Sequence, residues 1–429
     1  MYVSLTAVLQ ENRGDLITFA LVISPHAISL MVGMHSTTAI KTNLQVLPRL
    51  VMGGVERGTV DIAKALVQAG WRALVASAGG PMVRELERCG AEHITLPLAT
   101  KSPLSIRRNA DLLADLISTQ KVDIVHARSR APAWSAKQAA TTTGIPLITT
   151  FHGVYGLGPF GLKKSYNRIM TEGEIVIAVS EFIRTHIMTN YNVPTERIRV
   201  IHRGVDLNAF DPDRVPPTRL IQLTSKWRLP ENAPVMMLPG RFTAIKGHIL
   251  LVDALAELAR RRGGSLDMRC LMVGKNQGHT SYSNSILEHA VARGVDGNVQ
   301  IVDDCNDMPA AYMATDVVVS ATTRPEAFGR IMAEAQSMGR PVVAPAHGPS
   351  EEVIVPGVTG WLFTPNDPIS LADALDRALR LRQDERMTLA EIAVARVRDH
   401  FTNSEMCAKT LAVYNDVLTR HGTGAIASS

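Results

Sequence analysis

The stretch Arg324-Pro325-Glu326-Ala327-Phe328-Gly329-Arg330-Ile331-Met332-Ala333-Glu334-Ala335 carries two carboxylates, Glu326 and Glu334, with seven residues between them. Val317-Val318-Val319 just upstream reads as a buried strand and Ile331–Ser337 as a helix, so Glu326 falls in the loop and Glu334 on the helix. In an open parallel sheet that loop faces the ligand crevice. Backbone N–H groups around Phe328 and Gly329, left unpaired at the start of the helix, favour an anion such as a phosphate, and the two carboxylates accept hydrogen bonds from hydroxyls. Phosphate and hydroxyl recognition together suit a sugar nucleotide. A plainer reading stands beside this one: a carboxylate drawn to the helix dipole and a solvated helix residue.

Three further sets of residues have the types and positions for chemistry. Gly240-Arg241-Phe242 through Lys246-Gly247-His248 follows an apolar run, which places Arg241 and Lys246 at a strand's carboxyl end before a helix. Arginine binds phosphate through a planar fork and lysine as a point charge, so the pair outlines a diphosphate site; two solvated loop cations would look the same. Gly53-Gly54-Val55-Glu56 permits a close backbone approach at a helix start, or forms a plain tight turn. His152, in Thr150-Phe151-His152-Gly153, ends an apolar strand and should face the cleft, although a lone histidine is more often structural; His126 and His202 also end strands. Asp211-Pro212-Asp213 pairs two carboxylates as hard cations prefer, but it sits in a linker rather than at a strand end, so no metal site is assigned.

The elements that must position these residues alternate short apolar runs with amphipathic stretches, the pattern of βα units around a parallel sheet. Strands are expected near Leu44–Leu47, Arg72–Ala76, Ile124–Ala127, Leu147–Phe151 and Ile175–Val179, with helices at Val55–Ala69, Leu104–Thr119, Pro132–Thr143 and Glu181–Tyr191. The proline-rich stretch from Asp211 to Pro217 marks a linker. The pattern restarts with strands near Val235–Leu238, Arg269–Val273, Val299–Val302, Val317–Ser320 and Val342–Ala344, and helical patterns at Ile369–Leu381, Glu385–Asp399 and Thr402–Arg420 close the chain.

A chain of 429 residues with 46% hydrophobic and 20% charged residues is too large for one ordinary core and calls for two α/β domains. The net charge of +5 includes cation clusters at Arg107-Arg108, Arg128 to Arg130, Lys163-Lys164 and Arg260-Arg261-Arg262, which suit anionic lipid heads or nucleotides but are commonly solvated. No basic motif interleaved with aromatics points to nucleic acid. Cys89, Cys270, Cys305 and Cys407 are scattered, as reduced thiols of a cytoplasmic protein would be. Residues 1–42 stand apart: Leu16 to Met34 is mostly apolar but broken by Pro25-His26, with Glu11 and Asp15 flanking Arg13, and reads as an unstructured extension, a membrane anchor or a domain element.

The glutamate stretch, continued through Gly339-Arg340-Pro341-Val342-Val343-Ala344, resembles the glutamate motif of the retaining family 4 glycosyltransferases, enzymes of the GT-B fold. The resemblance covers roughly residues 43–420 and is most specific at 241–246 and 326–334. It implies two Rossmann-like domains facing across a cleft: an extension over 1–42, an acceptor domain over 43–215, a nucleotide-sugar domain over 216–400, and a C-terminal helix over 401–429 that packs back on the first domain. It implies that Glu326 contacts the donor sugar and Glu334 the nucleotide ribose, and that Arg241 and Lys246 hold the donor phosphates. Phe328, Gly329 and Gly54 would then line the donor site, and His152 would stand beside the reacting carbon. The chain departs from the family pattern at Pro349, where a glycine is usual, and at Arg203, where asparagine is common.

The resemblance further implies a retaining sugar transfer without a metal or other cofactor, from a nucleotide sugar to a saccharide or lipid-linked acceptor. Its setting would be bacterial lipopolysaccharide or exopolysaccharide assembly, with peripheral contact at the cytoplasmic face of the inner membrane and no nucleic-acid partner. An epimerase of the same fold and a non-catalytic sugar-nucleotide binder remain as alternatives. A nicotinamide enzyme would need a Gly-x-Gly-x-x-Gly turn that the chain does not convincingly offer.

Overall fold

The runs rich in Val, Ile and Leu become strands buried on both faces, as parallel sheets covered by helices require. The computed structural model describes residues 40–274 and 280–427, so the expectations placed on residues 1–39 lie outside the described residues. Strands β1 (Thr42–Val46), β2 (Arg72–Ser77), β3 (Glu92–Thr95), β4 (Ile124–Ala127), β5 (Leu147–Phe151), β6 (Ile175–Ala178) and β7 (Ile198–Val200) form a seven-stranded sheet in the order β3-β2-β1-β4-β5-β6-β7. Strands β8 (Val235–Pro239), β9 (Arg269–Val273), β10 (Val299–Val302), β11 (Val317–Val319), β12 (Val342–Pro345) and β13 (Gly360–Phe363) form a six-stranded sheet in the order β10-β9-β8-β11-β12-β13. The pairings are parallel in both sheets. The order reverses between β1 and β4 in the first sheet and between β8 and β11 in the second. Those switch points are where open α/β sheets receive ligands, and the glycine loop, the cation loop and the glutamate loop all leave strands that border them.

Three strands have no counterpart in the sequence reading: β3, β7 and β13. Each lies at the edge of its sheet and is short and partly exposed; charged or polar residues break the apolar run in β3 (Glu92-His93-Ile94-Thr95) and β7 (Ile198-Arg199-Val200), and β13 is only Gly360-Trp361-Leu362-Phe363. The linker expected from Asp211 to Pro217 is more ordered than its composition implied. Asp211 accepts a hydrogen bond from the Asp213 N–H at 3.1 Å, which opens the short turn Pro212–Arg214 and explains the acidic pair as local capping. The helix Pro217–Trp227 follows at once, with proline at its first position, where the missing N–H costs nothing.

Helix α1 (Gly54–Gln68) buries Thr59, Val60, Ile62, Ala63 and Leu66, a stripe at helical spacing that seats it on the first sheet. Helices α2 (Glu181–Tyr191) and α3 (Arg330–Ser337) follow β6 and β11, and the last helix, α4 (Asn403–Ala427), returns to the first sheet as expected. At the return crossing, Val205 N–H donates to Phe401 O at 2.8 Å and Asn403 N–H to Val205 O at 3.0 Å. The neighbouring Gly204 has no room for a Cβ against the Asn403 backbone, so the two segments approach only because it is glycine. Farther along, Tyr414 Oη lies 2.6 Å from His126 Nδ1. Among the described residues, no helix is long and apolar enough to cross a membrane.

Candidate active site

The second switch point brings together the cation loop and the glutamate loop. Gly240 follows β8, and the aliphatic stem of Lys246 folds back over it, with Cδ 3.3 Å from where a Gly240 Cβ would stand. Gly247, at φ +73°, closes the turn after Lys246 against the Ala321 carbonyl, and Thr323 N–H donates to Ile245 O at 2.9 Å. The two loops are thus joined by backbone. The consequence is an ion pair: Lys246 Nζ lies 2.5 Å from Glu326 Oε1, with the two side chains only 19% and 25% exposed, so solvent screens the charges weakly. The Arg241 side chain is exposed and makes no hydrogen bond or ion pair among the described residues, while its carbonyl accepts from Thr243 N–H at 2.8 Å.

Helix α3 starts where the sequence placed it. Gly329, at φ +82°, is the residue before its first turn, and the N–H groups of Phe328 and Gly329 have no backbone partner among the described residues. One turn in, Glu334 is 9% exposed and accepts from Arg330 Nη2 at 2.7 Å and from Tyr312 Oη at 3.1 Å. Burial, reinforced by the Glu334 charge, holds the Tyr312 hydroxyl well above its usual pKa, so it remains a donor. Glu334, Tyr312, Gly240, Gly274 and Ile331 line a cleft of about 220 Å³. The Phe328 side chain does not line it. It is 3% exposed and packs 5.6 Å from the Phe401 ring and 6.0 Å from the His202 ring, so only its backbone remains available to a ligand.

On the first half, His152 follows β5 as expected, and its Nε2 is shut from solvent with no hydrogen-bond partner among the described residues. Burial, then the Arg128 charge, pushes its pKa well below the ordinary histidine value, so the ring is neutral at pH 7 and suited to hydrogen bonding rather than proton donation as an imidazolium. His126 is not a cleft residue: Nδ1 meets Tyr414 and Nε2 lies 2.7 Å from Thr150 Oγ1, so it pins β4 to β5 and α4. Gly54 opens α1, its carbonyl accepts from Arg203, and Arg330 Cδ sits 3.8 Å from where its Cβ would stand. The glycine loop therefore meets both halves.

Two polar contacts between the halves escaped the sequence reading. Ser180 Oγ accepts from Ile183 N–H at 3.1 Å, capping α2, and donates to Ala327 O in the glutamate loop at 2.7 Å. Glu352 reaches across to the same helix start, accepting from the Glu181 and Phe182 N–H groups at 2.8 Å each, and lies 3.0 Å from His202 Nε2. Burial pushes the Glu352 carboxyl up, but the His202 and backbone hydrogen bonds outweigh it and bring its pKa below the usual value. A serine just before an expected helix was the one local signal; the identity of the distant carboxylate had none.

Family models place this architecture. Glycosyltransferase Family 4 matches residues 52–209 and Glycosyl transferases group 1 matches residues 222–395. Among solved structures, the chain is similar to a glycosyltransferase from Rickettsia africae, 38% identical with a TM-score of 0.81, covering 88% of this chain and 99% of that one. It is also similar to Anabaena HepE in complex with UDP-glucose, 25% identical with a TM-score of 0.73, covering 87% of this chain and 99% of that one. Among curated proteins it is similar to the D-inositol 3-phosphate glycosyltransferase of Xylanimonas cellulosilytica, 29% identical over 313 residues, which are 70% of this chain and 73% of that protein. With two parallel sheets, a returning last helix and matches on both halves, the chain belongs to the family 4 glycosyltransferases and has the GT-B fold.

Proposed function

We propose that this glycosyltransferase takes its sugar from a nucleoside-diphosphate donor held at the second switch point and delivers it with retention of configuration. The observation that carries the reading is the Lys246–Glu326 pair set beside the unpaired amides before α3 and the Glu334-lined cleft. Glu334 offers carboxylate oxygens to the ribose, while Lys246, Arg241 and the α3 amides take the diphosphate. Glu326, tied to Lys246, accepts from a sugar hydroxyl. The HepE structures with UDP and with UDP-glucose support a uridine donor as the first to test.

Glu326 is engaged by a cation rather than poised as a nucleophile, so the acceptor attacks on the face from which the diphosphate departs. The leaving diphosphate oxygen takes the acceptor proton. Neutral His152 uses its free Nε2 to position the donor sugar, and the protein contributes alignment and stabilisation of the leaving charge. Arg241 and Lys246 supply that countercharge, so chelation with EDTA is expected to leave most activity. Complete loss restored by manganese or magnesium would overturn this part. The setting we infer is bacterial lipopolysaccharide or exopolysaccharide assembly, from the cytoplasmic face of the inner membrane, with a saccharide or lipid-linked acceptor.

A screen of nucleotide sugars by thermal shift tests the donor, because a ligand of the folded state raises its melting temperature. A rise with UDP-sugars, followed by an NMR-assigned product of unchanged anomeric configuration, is the expected result. No shift with any nucleotide sugar, or an inverted product, would sink the reading.

A further inference from the structure

One cation of the first half is buried with no ion pair among the described residues. Arg128 follows β4, beside β1 at the switch point of the seven-stranded sheet. It is 1% exposed, and neither Nε nor Nη2 of its guanidinium has a hydrogen-bond partner among the described residues. Arg203, 7% exposed, enters the same region after β7: it donates to the Gly54 carbonyl, and its guanidinium occupies the space that any Gly58 side chain would need. It therefore lies along the first turn of α1, a helix of 15 residues whose positive end adds to the local field. The charges of Arg128 and Arg203 act on each other and on His152, and burial together with this repulsion brings the Arg203 pKa down to about 9.

Acidic groups do not resolve this cluster. Glu56 and Asp61 lie within its field, yet among the described residues no ion pair joins either to Arg128 or Arg203, and burial raises both carboxyl pKa values. Packing alone gives no reason to keep a guanidinium here, because an uncharged side chain of similar volume would fill the space without the desolvation cost. A bound anion does give a reason, since it supplies the acceptors that Arg128 lacks.

We propose that Arg128 and Arg203 form an anion subsite on the first half of the cleft, which takes an oxyanion, a phosphate ester or a carboxylate, carried by the sugar acceptor. The subsite rests on the transferase reading only in assigning that anion to the acceptor. Its selectivity follows from the fork: a neutral sugar leaves both guanidinium groups unsatisfied, whereas an oxyanion bridges them.

Titration calorimetry on the full chain, with inorganic phosphate, glucose 6-phosphate and glucuronate against neutral glucose, reads the subsite directly. Saturating UDP is included to keep these probes off Arg241 and Lys246. At least one anionic probe should bind tenfold or more tightly than glucose, and the preferred probe separates phosphate from carboxylate. Arg128→Met and Arg203→Gln should each lose tenfold or more of that affinity, and Arg128→Met should melt no lower than the parent without ligand. Should Arg128→Met not fold, Arg128→Lys, expected to keep part of the affinity, and Arg203→Gln decide by the same readout. Equal binding of glucose and every anion, or unchanged anion affinity in the folded variants, overturns the subsite. A chain that ignores UDP but shows the Arg128-dependent anion binding would refute the donor reading and leave the subsite standing.

Discussion

Lys246 and Glu326 are each expected to touch the donor, yet in the structure they touch one another, 2.5 Å apart at the end of β8. The ammonium is therefore already oriented by a carboxylate. Removing either partner leaves the other partly buried and unpaired, so the effects of the two should not add. Lys246→Ala should lower kcat/KM on the order of ten to a few hundredfold, from a charge-assisted hydrogen bond of roughly 1.5–3 kcal/mol. The Lys246→Ala, Glu326→Gln double variant should be little worse than the poorer single variant; fully additive losses would show that the residues act independently. Arg241→Ala should lower turnover comparably with no change in melting temperature, because the exposed arginine holds nothing in the fold. These residues were legible from their positions at strand ends. The burial of Phe328 was not, because its partners Phe401 and His202 come from elsewhere in the chain.

At the level of elements, α2 of the first half is capped twice at its start: by its own Ser180 and by Glu352 of the second half. A carboxylate at a helix N-terminus satisfies otherwise unpaired amides and opposes the dipole, so Glu352→Gln should cost about 1–2 kcal/mol at pH 7 in urea denaturation. The sign with pH follows from the lowered folded pKa of Glu352 relative to its ordinary 4.5. Its contribution is fully present above about pH 4.5 and is lost as pH falls through the lower folded value. The penalty of Glu352→Gln should therefore shrink in acid; a penalty unchanged down to pH 3 would remove the carboxylate's assigned role. Ser180→Ala, losing both the cap and the bond to Ala327 O, should cost about 1 kcal/mol in the same assay.

For the whole molecule, acid stability is set in part by histidines buried neutral. Burial, then the Lys246 charge, pushes His248 down to about 4, and burial also pushes His126 well below its ordinary value. The unfolded chain binds a proton on each as pH falls through about 6.5, while folded His248 does so only near 4. Stability is therefore lost between those two values and levels off below, by ~3 kcal/mol for His248. His248 stands 5.1 Å from the Phe242 ring and 5.8 Å from the Tyr282 ring, so His248→Phe keeps an aromatic in place while removing the titration. Denaturation midpoints measured from pH 7.5 to 4.5 should fall less steeply in that variant than in the parent. Identical slopes would show that His248 is already charged in the fold.

Sequence alone determined what local periodicity and turn chemistry can carry. The interior strands, the start of α3 at the glutamate loop and the strand-end positions of Arg241, Lys246 and His152 were all readable within short windows. The edge strands β3, β7 and β13 were not, since polar residues interrupt β3 and β7 and the apolar run of β13 is only three residues long. Tertiary structure decided which polar groups meet. His126 became a structural pin through Tyr414, 288 positions away, and Glu352 became the cap of α2 across 171 positions to the Glu181 amide. The apposition of Arg128 and Arg203 likewise joins the ends of separate strands. Spacing along a chain records which face a residue occupies; the hydrogen-bond partner on that face exists only once distant elements have packed.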